Sequence, residues 1–132
     1  MLIHAGRVAD LAQATIAVGI SRRTSPDLSL PVIKIALRNG SALRCMGTCV
    51  VALAMVAEGS VDAYYEVHVQ PWDCLAGMLV VREAGGRTNE VSAPLMLAHG
   101  GPLLASAPAL FDRLVEATPV QLDLTQAGET SR

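Results

Sequence analysis

Aromatic residues are scarce: Phe, Trp and Tyr together make up 3% of the 132 residues, against 52% for apolar residues as a whole. A core here has to be built from aliphatic side chains and alanine rather than rings. Long apolar runs are also lacking. The longest, residues 49–57, is far shorter than the roughly 20 residues of a bilayer-crossing helix, so a membrane-spanning reading is excluded. Arg7 and Asp10 precede any long apolar region, which does not suit a secretory leader, and a cytoplasmic location is expected. Cysteine is sparse and odd in number, with Cys45, Cys49 and Cys74 forming no C-x-x-C pair. That indicates neither a disulfide framework nor a zinc site, and the three are expected to be reduced, buried small residues. Cationic clusters stop at Arg22-Arg23 and the net charge is −2, which argues against a nucleic-acid surface and for a small-molecule partner. No internal repeat or low-complexity segment is present.

What remains is length for one domain and a regular alternation of elements. Residues 14–21 read as a strand ending in a loop, and residues 28–38 as a helix with Ser29 as cap and Pro31 in its first turn, closed by Asn39-Gly40. A short strand is expected at 42–46, a helix at 48–58 stopped by Gly59, a strand at 61–67, and a helix at 71–84 opened by Pro71 and closed by Gly85-Gly86. Strands at 87–91 and 102–105 and a helix at 108–117 complete the chain, ahead of a polar, loose tail over 119–132. Strands alternating with helices predict an α/β layered architecture. The two central helices are apolar nearly all round, so they are expected to be covered on more than one side, by sheet and further helices or by another chain.

That order brings distant residues together. A helix of about 11 residues is about 16 Å long and a strand of about seven is about 23 Å, so the chain descends the helix and returns along the strand. Gly47 and Thr48, Glu66 and Asp73 should then share one sheet edge. Two helix amino termini at that edge favour an anion, phosphate in particular, while the two carboxylates suit a divalent cation or a polyol. Each residue also has a plainer reading. Asp73 suits its own helix dipole, Thr48 an ordinary cap, Glu66 a solvated strand end, and Trp72, the lone tryptophan, a packing anchor. Arg82 and Glu83 read as the solvated end of their helix, and His4 and His99 as surface residues.

At these residues the sequence resembles the inositol monophosphatase family of metal-dependent, lithium-sensitive sugar-phosphate phosphatases. The family's second signature stands here as Trp72-Asp73-Cys74-Leu75-Ala76-Gly77, an aliphatic run, then Glu83-Ala84-Gly85-Gly86; upstream, Gly47-Thr48 and Tyr65-Glu66 match its small-residue helix start and Tyr-Glu strand. The resemblance covers about residues 14–117 and implies a layered sheet-and-helix fold. Residues 1–118 would form the carboxy-terminal, substrate-side half of the family domain, followed by the tail at 119–132. It implies that Asp73 ligates a catalytic Mg²⁺ and contacts substrate near the leaving oxygen. It further implies that Gly47, Thr48 and Cys49 line the substrate, with Cys49 in place of the usual alanine, and that Glu66 bonds a ring hydroxyl. The implied reaction is phosphate monoester hydrolysis, in which metal ions activate water and neutralise phosphoryl charge. The family's first signature, Asp-Pro-Ile/Leu-Asp-Gly-Thr/Ser, is absent, as are any Asp-Gly dipeptide and the Glu-Glu pair that supplies another ligand.

Three readings of function follow. One is the substrate-side half of an inositol or sugar phosphate phosphatase, inactive until a complementary amino-terminal half joins it. Another is a non-catalytic binding or scaffold module of the same fold, which associates through its apolar face; a homo-oligomer belongs here too. The third is a nucleotide bisphosphate or fructose bisphosphate phosphatase, for which Arg44 and His68 are the candidate second-phosphate residues.

Overall fold

The computed structural model describes residues 2–123. Its elements are β1 (Thr15–Gly19), α1 (Leu30–Arg38), β2 (Ala42–Arg44), α2 (Cys49–Glu58), β3 (Ala63–Val69), α3 (Pro71–Glu83), β4 (Arg87–Thr88), α4 (Ala93–His99), β5 (Gly101–Ser106) and α5 (Phe111–Ala117). The strands form one mixed sheet in the order β2-β1-β3-β5-β4. β1 pairs parallel with both β2 and β3, whereas β5 is antiparallel to β3 and β4. The parallel pairs need long crossovers, and α1 and α2 supply them.

Side chains alternate across the strands, which divides the core into two clusters, one on each face. On one face Ile16, Val18, Tyr65, Val67 and Leu104 meet Val32 and Ala36 of α1 and Leu114 of α5. On the other, Ala17, Tyr64, Leu103 and Ala105 meet Leu53 and Val56 of α2, Met78 and Val81 of α3, and Met96 of α4. Each fully buried aliphatic side chain contributes about 1.5–3 kcal/mol, so the small, ring-poor residues suffice in number. Between Glu66 and Val69 the register with β5 shifts, and Val69 joins the same cluster as Tyr64 despite its odd number. A bulge moves side chains between faces in this way.

Helices α2 and α3 lie very close. A Cβ on Gly77 would fall 2.6 Å from Leu53 Cδ1 and 2.9 Å from its Cβ, so the absent side chain sets their spacing. α2 ends at Gly59 with φ 81°, a left-handed cap that glycine adopts without a Cβ penalty.

Four expectations need correction. Of the three cysteines only Cys74 is buried; Cys45 is exposed and Cys49 half-buried, because they flank the turn that opens α2 rather than the core. A helix, α4, occupies 93–99 where none was expected, entered through Pro94 and ended by Gly100. Trp72 is no packing anchor: it is 75% exposed. Arg82 is not simply solvated, because its Nε donates to Thr88 Oγ1 at 2.6 Å and its Nη2 to the Asn89 carbonyl at 3.0 Å, tying α3 to β4. Of the tail expected at 119–132, residues 124–132 lie outside the described residues; nearer in, Leu122 is buried and its carbonyl accepts from Asn89 at 2.8 Å.

As expected, the two apolar helices are covered on more than one side, by the sheet and by each other, with α4 beside α3, but not all round among the described residues. Val50, Val51, Trp72, Leu79 and Val80 remain exposed on their outer surface.

Candidate active site

The chain turns at Gly47, with φ 73°, a left-handed conformation that residues carrying a Cβ rarely adopt, and α2 then starts at Cys49. Thr48 is the N-cap but its side chain makes no capping hydrogen bond. The hydroxyl and the first N–H groups of α2 are thereby left for another partner. α3 opens at Pro71, whose missing N–H costs nothing in the first turn, and sets Asp73 in that turn. Asp73 belongs to none of the ion pairs found among the described residues.

Both helix starts border one open pocket of about 440 Å³. Gly47, Thr48, Cys49, Glu66 and Asp73 all line it, together with Gly19, Ser21, Arg23, Tyr64, His68 and Gln70. Glu66 therefore sits within β3 beside the pocket, not at the strand's end. Of the two basic residues considered from the sequence, His68 lines the pocket, whereas Arg44 bonds the Leu43 carbonyl and Arg23 takes the place expected for it.

The electrostatics are those of a half-buried acid, Glu66, beside an exposed one, Asp73. Burial raises the affinity of Glu66 for a proton and the Asp73 charge adds to it, while a hydrogen bond from Tyr64 and the nearby His68 pull the other way. Tyr64 donates to Glu66 Oε2 at 2.6 Å, a short charge-assisted bond. Burial first, then the Glu66 charge, pushes the Cys49 thiol up to about 12. Cys74 beneath α3 is pushed up to about 11, mainly by burial. Both remain thiols at neutral pH, so neither acts as a thiolate nucleophile.

This pocket offers oxygen acceptors to a hard cation or to hydroxyls, and N–H donors to an anion. Among the described residues no group of three or more His, Cys, Asp or Glu is placed to bind a metal ion. Asp73, exposed at a helix start and in no ion pair among the described residues, fits one place in the shell of a hard divalent ion.

Sequence reading missed Gly19, Tyr64 and Arg23 as pocket residues. Tyr64 was findable, since it lies two residues before Glu66 and period two puts both on one face. Gly19 was not, because only the pairing register sets it opposite Glu66.

A mixed sheet with helices on both faces, and a pocket where two helix amino termini meet two carboxylates, defines an α/β domain whose pocket offers both N–H donors and carboxylate acceptors. The chain belongs to the inositol monophosphatase family, whose model matches residues 2–121. An inositol-1-monophosphatase of Mycobacterium leprae is 32% identical over 120 residues, which is 88% of this chain and 40% of that protein. Among solved structures, Mycobacterium tuberculosis SuhB aligns with a TM-score of 0.73 at 32% identity, over 89% of this chain and 45% of that one. The inositol monophosphatase of Anabaena (Nostoc) gives 0.74 at 30% identity, over 87% and 46%. The chain thus spans less than half the length of these relatives.

Proposed function

We propose that this chain is the substrate-side half of a metal-dependent phosphatase acting on inositol or sugar phosphate monoesters. The observation that carries the reading is the convergence of Thr48, Glu66 and Asp73 on one pocket in a chain of this family. In it, the α2 amino terminus with Thr48 receives the phosphate, Glu66 accepts from a ring hydroxyl, and Gly47 and Cys49 contact the substrate body. Asp73 would supply one carboxylate ligand to Mg²⁺. When bound, the cation supplies neutralisation of phosphoryl charge and a more acidic water. The other carboxylate donors come from a complementary half, in the same product or in another chain, and the chain is inactive without it.

The exposed outer face of α2 and α3 is where such a half, or a second copy, covers apolar surface. The same face is the observation that favours the second reading, a binding module without catalysis. The cytoplasm is the compartment that suits three free thiols.

The test is an assay of the purified chain with Mg²⁺ and inositol 1-phosphate, alone and mixed with the separately expressed amino-terminal half of a family member. Phosphate release only in the mixture is the expected result. Its absence in both, together with light scattering that shows a stable complex, favours the binding module.

A further inference from the structure

Glu66 does not simply protrude into the pocket; its carboxyl group is held in a seat. β1 runs parallel to β3 with Gly19 opposite Glu66. A Cβ built on Gly19 would fall 2.5 Å from Glu66 Cδ, 2.7 Å from its Oε1 and 2.6 Å from the Tyr64 hydroxyl oxygen. The space that a side chain at 19 would fill is thus taken by a phenol and a carboxylate. Tyr64 donates to Oε2 at 2.6 Å, and among the described residues no hydrogen bond engages Oε1. The Cys49 thiol interacts with the same phenol, on the side of the α2 start.

We propose that Tyr64 is a positioning residue for Glu66: the phenol holds one carboxylate oxygen in the space left by Gly19, so that the other is aimed at a hydroxyl of a polyol phosphate. The assignment of the polyol rests on the phosphatase reading above; the seat itself rests on the geometry. A held acceptor meets a ligand hydroxyl without first losing rotamer freedom, and a site built to bond a hydroxyl discriminates strongly against ligands that lack one. The phosphate end of the pocket, at Thr48, takes no part in this. Removing the phenol hydroxyl therefore weakens recognition of the ring and spares recognition of the phosphate.

Tyr65 supplies the control. Its hydroxyl also makes one hydrogen bond, to the Leu28 carbonyl at 3.0 Å, but on the opposite face of the sheet. Binding of inositol 1-phosphate and of inorganic phosphate, each with Mg²⁺, is measured by NMR titration of the wild-type chain and of Tyr64→Phe, Tyr65→Phe and Gly19→Ala. Tyr64→Phe should cut the preference for inositol 1-phosphate over phosphate about tenfold, the scale of one lost hydrogen bond, with phosphate affinity unchanged and Tyr65→Phe unaffected. Gly19→Ala should produce the same selective loss by displacing Glu66, and it carries the test if Tyr64→Phe does not fold. An unchanged preference in Tyr64→Phe, or an equal loss of both ligands, overturns the proposal. If the wild-type chain alone binds neither ligand, the titration is repeated with the separately expressed amino-terminal half of a family member, and binding of neither in that mixture overturns the phosphatase reading instead. The seat is then decided by the Glu66 carboxyl carbon resonance at pH 8, which moves in Tyr64→Phe and not in Tyr65→Phe if the phenol holds it, and stays in place if it does not.

Discussion

Tyr64 and Tyr65 are neighbours in one strand, yet they serve two different faces of the sheet. Tyr65 points to the side closed by α1 and α5, where its hydroxyl ties the core to the carbonyl of Leu28. Tyr64 points to the side of α2 and α3, where its hydroxyl is spent on a carboxylate at the pocket. The first face holds a cluster that reaches from Leu11 to Leu122, with Leu30 and Leu37 of α1 exposed outside it. The second is packed against the sheet but left open outward, with Trp72 and Leu79 facing solvent. The core around Tyr65 and the pocket beside Tyr64 are thereby separated by the thickness of one sheet, and the face that carries the pocket also has apolar surface to offer.

That contrast can be broken first at its base. Leu114→Ala on the closed face and Leu53→Ala on the pocket face both remove fully buried side chains, and each should cost about 3 kcal/mol in urea unfolding. If Leu53→Ala costs far less, α2 is not packed as described. Of intermediate size, Tyr65→Phe removes a single hydrogen bond and should lower stability by about 1 kcal/mol, again read from urea unfolding. Truncation at the open surface should do less: Trp72→Ala with Leu79→Ser should change unfolding by no more than about 0.5 kcal/mol while reducing self-association seen by light scattering. A large loss of stability there would mean that the outer face is already covered.

The smallest effect is a pH dependence. The folded chain binds a proton at Glu66 more tightly than the unfolded chain does, chiefly through burial and then through Asp73, with Tyr64 and His68 opposing. Stability from this group is therefore full below the ordinary value of 4.5 and falls as pH rises through the elevated folded value. Comparing wild type with Glu66→Gln by thermal unfolding from pH 4 to 8 isolates it, since the other pocket groups Asp73, His68 and Cys49 are common to both proteins. The wild type should lose ground to the variant as pH rises; parallel curves would show that burial does not perturb the carboxyl.

Elements with strong local signals were legible in the sequence. α3 follows from Pro71 at its start and the glycine pair at its end, and α2 from an unbroken apolar run stopped by Gly59. α4 was missed because seven residues carry too little periodicity to distinguish a short helix from a loop. Trp72 was misread because a large ring is normally buried, and nothing local says that the surface beside it lacks a covering layer. Arg82 was misread for the opposite reason, since the Thr88 and Asn89 groups it bonds are set by how β4 folds back on α3.

The order of elements and the residue types at three helix and strand positions determined, by themselves, an α/β domain with Thr48, Glu66 and Asp73 at a common edge, because element lengths alone dictate where the chain returns. Which groups touch there was decided only by tertiary structure. The pairing of Gly19 with Glu66, the phenol of Tyr64 on its carboxylate, and the replacement of Arg44 by Arg23 at the pocket depend on strand register and loop path. Those are settled by the packing of the whole sheet, where a shift of one residue turns every side chain to the other face.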